Sequence, residues 1–566
     1  MNSRRLFGVP VGFAYKHFGG FGELLAIKFG LDEKICKAGL QISPIGYGSV
    51  FAFYSIAICA PAIAVAIFLV ILMKLHYYWL IIPGALPIAV IIIFLLYPKL
   101  KADSRRSALL AELPFIATYA GILSLAGLPL YRAFERLSNQ SVFPAARREG
   151  MLILREKLFF SKEPTLALET VAIKHPLKEF RDYITSYLRI LRTGGDSLSY
   201  LMDYSSKAVE WIRNALKSYA ENAKLYGDLM IALFVFIPLG IFSIFSLMAP
   251  DQGLQFMKFY CFAVAPMSAL GLIVAIDSEQ FKLPQSCEKY VFTALKCLGV
   301  SIVAAIIARM YYFNLEFHEV LSIIIIASLV PPAIQYEVDS RKQLKIERAL
   351  PKFLRDVAEA RKVGLSIEKA VSEAASRSYG QPLDDLIKRI NYMLRFSFTP
   401  IDQALEHAIR EVKSWFGKAI LWLFKEALIT GGGSAETFTV LAKFSEDYIE
   451  VKSKVSRELR AYCVIGYVTS LILLFVIVQL INYGIVPQVQ LASKLPEIYS
   501  LNLNIISREL LNQLVSISFT TIVVVSSLIG LVVGKISSGS IVGGFKHSAI
   551  CTFIALIGIK GVGYFW

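Results

Sequence analysis

The chain has 566 residues, 56% of them hydrophobic, and a mean hydropathy of +0.57. Soluble globular domains hold roughly 45–50% apolar residues, so the composition excludes a purely soluble protein and places the chain in a membrane. Charged residues make up 18% and gather in blocks, so sizeable aqueous domains hang from the membrane part; the formal net charge of +16 suits anionic lipid, nucleic acid or acidic protein surfaces without choosing among them.

Taken in chain order, the first twenty residues, MNSRRLFGVPVGFAYKHFGG, carry charge but lack the apolar core and small-residue cleavage site of a signal peptide. The amphipathic stretch ELLAIKFGLDEKICKAGL at 23–40 follows. It either lies along the membrane surface or packs as a short helix on the first aqueous domain. A bilayer core takes about 20 apolar residues per helix, and nine stretches come close: 50–73, 77–97, 228–249, 258–276, 290–309, 318–335, 461–483, 514–534 and 545–563. Two polar blocks, 98–227 and 337–460, interrupt them.

Lys and Arg set the orientation. The two blocks carry 20 and 22 of them, while the loops 250–257 and 310–317 carry none. Flanking residues agree: Lys99, Lys101, Arg105 and Arg106 beside the first block, Arg341, Lys342 and Lys345 beside the second. Both blocks and the N-terminus are therefore expected in the cytosol, and nine spans leave the C-terminus outside. Within the blocks the periodicity is helical: Leu350, Leu354, Val357 and Ala358 recur at three- to four-residue spacing with Lys352, Arg355, Glu359 and Lys362 between them.

The expected fold class is all-α: a polytopic membrane protein of about nine transmembrane helices with two homologous cytosolic helical bundles. Its parts are an N-terminal cytosolic or interfacial segment (1–49), a transmembrane hairpin (50–97), a first bundle (98–227), four transmembrane helices (228–335), a second bundle (337–460) and three more transmembrane helices (461–566).

The homology rests on an echo. LRTGGDS at 191–197 returns as LITGGGS at 428–434, a constant offset of 237 residues. Leu113-Pro114, Gly127-Leu128, Ala133 and Ala167-Leu168-Glu169 keep the same offset from Leu350-Pro351, Gly364-Leu365, Ala370 and Ala404-Leu405-Glu406. That makes at least 13 identities over 85 gapless positions, against about five to seven expected by chance from average residue usage. The shared register reads as an internal duplication of a cytosolic bundle followed by membrane helices.

The Thr-Gly-Gly copies are not nucleotide loops, because neither carries the Lys that a phosphate-binding loop requires. They read as a helix end in a left-handed or closely approached conformation, followed by Ser or Asp/Ser as the next helix cap. Seven scattered cysteines without a CxxC spacing, six isolated histidines, and no HExxH or supported GxSxG give no catalytic residue, cofactor or metal site, and no enzyme. His175 and His407 read as ordinary surface histidines. Acidic residues interleave with the basic ones in both blocks, which describes a protein surface more than a nucleic-acid track. The alternative function, a polytopic membrane transporter with cytosolic regulatory domains, lacks the ionisable residues at mid-membrane that ion transport uses, since Lys296 and Lys560 sit near span ends. Gly530 and Gly534 form a GxxxG in the eighth span, pairing helices within one chain or between two.

The doubled pattern LP-x12-GL-x4-A, then a Glu-bearing helix, then TGG-x-S and a span, resembles the type II secretion F domain. Two such domains in a chain of this length and span count are similar to the core membrane platform of archaeal type IV pili and archaella. The resemblance implies a platform in the plasma membrane that docks a hexameric secretion ATPase, hands its motion to pilin or archaellin subunits, sits among membrane lipids and pairs as a homodimer. It implies no nucleic acid and no cofactor. It also assigns Lys352, Arg355, Arg361 and Lys362 as ATPase-facing charges, with Glu426, Gly431 and Gly432 shaping the second turn and Arg192, Gly194 and Gly195 as their first-bundle counterparts. The first bundle's leading helix, 113–127, has no charge where its counterpart 350–364 has six, so it is expected to be enclosed while the second presents a charged face.

Overall fold

A computed structural model describes residues 5–6, 9–40, 42–73, 81–159, 163–248, 250–280, 288–311, 315–431, 433–487 and 508–563. Apart from the two-residue strands Arg5–Leu6 and Val9–Pro10, which pair antiparallel, the described elements are helices. The chain divides into two units, residues 1–208 with 426–433, and 209–425 with 434–566.

In the first unit, α1 (Val11–Phe29) packs along α3 (Pro44–Met73) through small residues. A Cβ at Gly22 would lie 2.6 Å from the Ile45 carbonyl oxygen, so only glycine lets the two helices meet. The short α2 (Leu31–Ala38) rests on α4 (Ile81–Leu125), whose Arg105 guanidinium donates to the carbonyls of Cys36 and Lys37. Of the two readings of 23–40, the packed helix therefore holds for α2. The bundle continues through α5 (Leu130–Leu137), α6 (Pro144–Phe159), α7 (Pro164–Ile173), α8 (Lys178–Thr193) and the start of α9 (Ser197–Ile231). Leu113, Phe115, Tyr119 and Leu123 of α4 are fully buried within it, so the uncharged leading helix is enclosed, as expected.

The second unit holds the membrane helices α10 (Ile237–Met248), α11 (Pro250–Phe259), α12 (Ala265–Glu279) and α13 (Glu288–Tyr311), then α14 (Phe317–Lys362). Its bundle comprises α15 (Ile367–Ala374), α16 (Leu383–Arg395), α17 (Ile401–Glu411), α18 (Trp415–Gly431) and α19 (Ala435–Gln479), followed by α20 (Arg508–Ser538) and α21 (Gly544–Gly563). The duplication is visible in the helix starts. Leu130 and Ile367, Pro164 and Ile401, and Lys178 and Trp415 open matching helices 237 residues apart.

Among the described residues seven helices are long and apolar enough to cross a membrane: 94–125, 197–244, 252–279, 288–309, 317–362, 435–483 and 509–538. Five of the other six contain an expected span, and 197–244 covers most of the expected 228–249. In 94–125 the apolar window is 78% buried inside the protein, because its residues form the core of the first bundle. The expected span 50–73 lies on α3 and 81–97 of the expected 77–97 on α4, whose side chains are described only in part, while 77–80 lie outside the described residues. The expected 545–563 coincides with the 20-residue α21, which carries Lys546, His547 and Lys560.

The membrane core gathers Phe234, Met257, Tyr260, Ile477, Ile522 and Ile529. Hydroxyls tie the helices where water is absent: Tyr260 donates to the Leu233 carbonyl at 2.7 Å and Ser470 to Ser526 at 2.7 Å. The GxxxG is used within the chain. A Cβ at Gly530 would collide with Ser548 Cα, and one at Gly534 with Gly544 Cα, so α20 and α21 touch backbone to backbone.

Candidate functional site

Both bundles are built on the same turns. Gly127 (φ +75°) and Gly364 (φ +90°) end the leading helices in the left-handed region that a side chain resists. The amides after them, of Leu128 and Leu365, return to the Leu123 and Ala360 carbonyls at 3.0 and 3.3 Å. In each bundle the Glu of the Ala-Leu-Glu triplet then pairs with a cation on the helix bearing Thr-Gly-Gly: Glu169 with Arg192, and Glu406 with Lys425 at 2.6 Å.

The Thr-Gly-Gly turns differ in detail. Gly194, at φ +72°, ends α8, and Asp196 Oδ1 accepts from the Leu198 and Ser199 amides at 3.0 and 3.1 Å to start α9. In the second copy Gly431 is still helical and the left-handed residue is Gly433 (φ +59°), with Ser434 capping α19 by accepting from the Thr437 amide at 3.2 Å. The turn thus falls two residues later, because a third glycine replaces the capping Asp. Gly195 follows directly after the first turn, its amide returning to the Ile190 carbonyl at 3.0 Å. Gly432 lies outside the described residues.

Lys352, Arg355 and Lys362 are exposed on α14, with Leu350, Phe353, Leu354 and Val357 buried behind them. Most of the charged face has local company. Lys352 lies over the Tyr379 ring at 5.8 Å, Arg355 pairs with Glu446, and Arg361 donates back to the Leu365 carbonyl. Asp356 is not part of the charged face. It is buried, accepting from Arg377 at 2.7 Å and Tyr379 at 2.6 Å.

Glu426 belongs to the segment that groups with the first unit. Its Oε2 accepts from the buried Tyr119 hydroxyl at 2.9 Å and from Arg136 at 3.1 Å. It therefore anchors the last turns of α18 through a carboxylate, just ahead of the second Thr-Gly-Gly turn.

One cluster escaped the sequence entirely. Arg105, Glu149 and His175 are all buried in the first bundle, with Arg105 bidentate on Glu149 at 2.8 and 2.5 Å. His175 is thus an interior residue, while His407 is exposed as expected. The Leu177 amide donates to His175 Nδ1 at 3.0 Å, so the ring proton sits on Nε2, 3.6 Å from Glu149. Burial alone would raise the Glu149 carboxyl, but His175 and Arg105 pull it down to about 2. Burial holds His175 below its ordinary value even with Glu149 beside it. The three residues lie 44 and 26 positions apart in the chain, and no spacing rule joins them.

Among the described residues no group of three or more His, Cys, Asp or Glu could hold a metal ion. A cleft of about 480 Å³ lined by Lys258, Phe317, Glu509, Gln513 and Thr520 opens between the end of α11 and the starts of α14 and α20.

Comparison with known proteins agrees with the duplicated architecture. The family model of the type II secretion system protein F matches the chain twice, at residues 115–245 and 353–481. An uncharacterized protein of Methanocaldococcus jannaschii is 21% identical over 511 residues, covering 83% of this chain and 82% of its own length. No solved structure matches.

Proposed function

We propose that this chain, a multi-pass membrane protein carrying two type II secretion system F domains, is the assembly platform of an archaeal type IV pilus-like filament, an archaellum or an adhesive pilus. It couples a hexameric secretion ATPase in the cytosol to the insertion of pilin or archaellin subunits. The N-terminus and both bundles lie in the cytosol and the C-terminus outside the cell. The F-domain family is a family of membrane platforms, and the chain's work is mechanical.

The observation that carries the reading is helix continuity. The second bundle begins on α14, which runs unbroken for 46 residues from an expected span, and ends on α19, which runs 45 residues into the next. At 1.5 Å per residue each is a rod of about 68 Å. The first bundle repeats the device, with the 45-residue α4 leading in and α9 passing through a π-helical segment (Ala232–Phe236) into α10. A displacement applied to such a bundle has no loop in which to dissipate before it reaches the bilayer. Lys352, Arg355, Arg361 and Lys362 are the proposed ATPase-facing charges, and the turns at Gly194–Gly195 with Arg192, and at Gly431–Gly432 with Glu426, set the helix pairs that bear the load.

The test is affinity purification of the tagged chain from its own host, in mild detergent at low salt, with bound proteins identified by mass spectrometry. A hexameric secretion ATPase together with a pilin or archaellin is the expected result. Recovery of neither removes the platform reading and returns the transporter reading to first place.

A further inference from the structure

A helix that crosses a bilayer normally shows its surroundings an apolar surface, and the first turns of α20 break that rule. Glu509, Asn512, Gln513, Ser516 and Thr520 recur at three- to four-residue spacing and together line the cleft beside α11 and α14. On the opposite face of the same helix Leu514, Ile522 and Val525 are fully buried in the membrane core. The polar stripe is about 16 Å long at 1.5 Å per residue. Its lower members, Ser516 and Thr520, fall within the apolar run 514–534. The cleft sits at the ends of its helices remote from the second bundle, because α14 starts here and runs toward that bundle.

The other wall is of opposite character. Phe262, in the π-helical segment Tyr260–Val264, and Phe317, at the start of α14, both line the cleft and are 57% and 49% exposed. Lys258, on the last turn of α11, and Glu509 bring one charge of each sign. Among the described residues neither has an ion-pair partner, and the side chains of Asn512, Gln513 and Ser516 make no hydrogen bond. The Thr520 hydroxyl is spent on the Ser516 carbonyl at 2.8 Å. Polar groups at the edge of an apolar medium are costly without partners and are kept for a use.

We propose that this cleft binds one membrane phospholipid with a hydroxylated headgroup, of the phosphoglycerol or phosphoinositol kind. Its phosphate accepts from Lys258 and from the Asn512 and Gln513 amides, its hydroxyls donate to Glu509, and its chains lie on Phe262, Phe317 and Ile517. The cleft, about 480 Å³, is within the size range of small-ligand pockets and suits a headgroup with the first part of its chains. A freely soluble ligand makes no use of two half-exposed rings at the bilayer boundary. An apolar helix of another protein would leave the stripe and both charges unsatisfied. The proposal needs only the chain's place in a membrane and is independent of the filament function.

The experiment uses the full chain, purified in detergent and stripped of lipid, with phosphatidylglycerol as the probe and bound lipid counted by native mass spectrometry. One phosphatidylglycerol per chain is expected to be held at least fivefold more tightly than phosphatidylcholine, which lacks the hydroxyls, or diacylglycerol, which lacks the phosphate. Asn512→Leu with Gln513→Leu should erase that preference, and Lys258→Gln should weaken retention at least fivefold. Lys296→Gln, a cation on a span outside the cleft, should change nothing. Melting curves should stay unchanged, because the substituted side chains are exposed. Equal retention of phosphatidylglycerol and diacylglycerol, or equal retention by the wild-type and leucine chains, overturns the proposal. So does full displacement by water-soluble glycerol phosphate, which would make the cleft a site for free phosphate esters. A photo-crosslinking residue at position 512 in host cells should capture lipid; capture of a polypeptide there instead would give the cleft to a protein partner and overturn the lipid assignment.

Discussion

In the first bundle the leading helix is bare of charge and buried on every side, and the charge lies inside, in Arg105, Glu149 and His175. In the second, the matching helix turns Lys352, Arg355, Glu359 and Lys362 outward. At the positions equivalent to the ion cluster stand Lys342, exposed, and Leu386 and Val412, buried. The turns, caps and helix starts are shared, so the backbone plan survived duplication while the polar residues were redistributed. A helix enclosed on all sides has no face to offer a partner, whereas the second bundle's leading helix turns its charges to solvent.

The comparison breaks most visibly at Arg105. Arg105→Ala leaves Glu149 as a buried, uncompensated charge and should destabilise the first bundle by about 3–5 kcal/mol. The matched Lys342→Ala should cost less than about 0.5 kcal/mol. Urea unfolding with limited proteolysis to separate the bundles reads both. Replacing the whole cluster by apolar groups, Arg105→Met with Glu149→Leu and His175→Val, should be far milder than Arg105→Ala alone, since buried ion clusters often exchange for packed apolar groups at little cost. A triple variant as damaged as the single one would show that the cluster does more than fill space.

The cluster also gives the bundles different acid responses. His175 has a depressed folded value, so the unfolded chain takes up that proton first and first-bundle stability starts to fall below about pH 6.5. Glu149, also depressed, contributes fully above about pH 4.3, and its contribution is lost as the pH falls through about 2. Proteolysis at stepped pH should release the first bundle before the second, and the triple variant should remove that order.

Smaller effects refine the picture. Glu426→Ala strips the buried Tyr119 hydroxyl and Arg136 of their shared acceptor and should cost about 1–3 kcal/mol. Asp196→Ala and Ser434→Ala each remove a helix cap and should cost about 1 kcal/mol; equal losses would confirm that the two shifted turns do the same work. Lys352→Glu with Arg355→Glu should leave the melting curve nearly unchanged yet weaken ATPase binding at least tenfold. Loss of folding instead would make those charges structural.

Much of this was legible in the sequence because it depends on local rules. The Thr-Gly-Gly copies announced left-handed helix ends, the apolar run 113–127 announced an enclosed helix, and the offset of 237 announced two bundles. The Arg105 cluster was invisible, since its members meet only after helices far apart in the chain pack together. Of the six charges on 350–364 only Asp356 is buried, and helical periodicity does not say which polar residue finds a buried partner. The span count blurred where an apolar helix can serve as protein core or cross lipid, as 94–125 shows, and hydropathy alone does not distinguish the two.

The central claim is that the chain assembles a surface filament, and the most direct measurement is electron microscopy of host cells lacking it, with pilin and archaellin amounts followed by immunoblot. The account expects one class of filament to vanish while its subunit remains in the membrane fraction, and to return when the wild-type chain is restored. Cells that keep every filament class at wild-type number would contradict it.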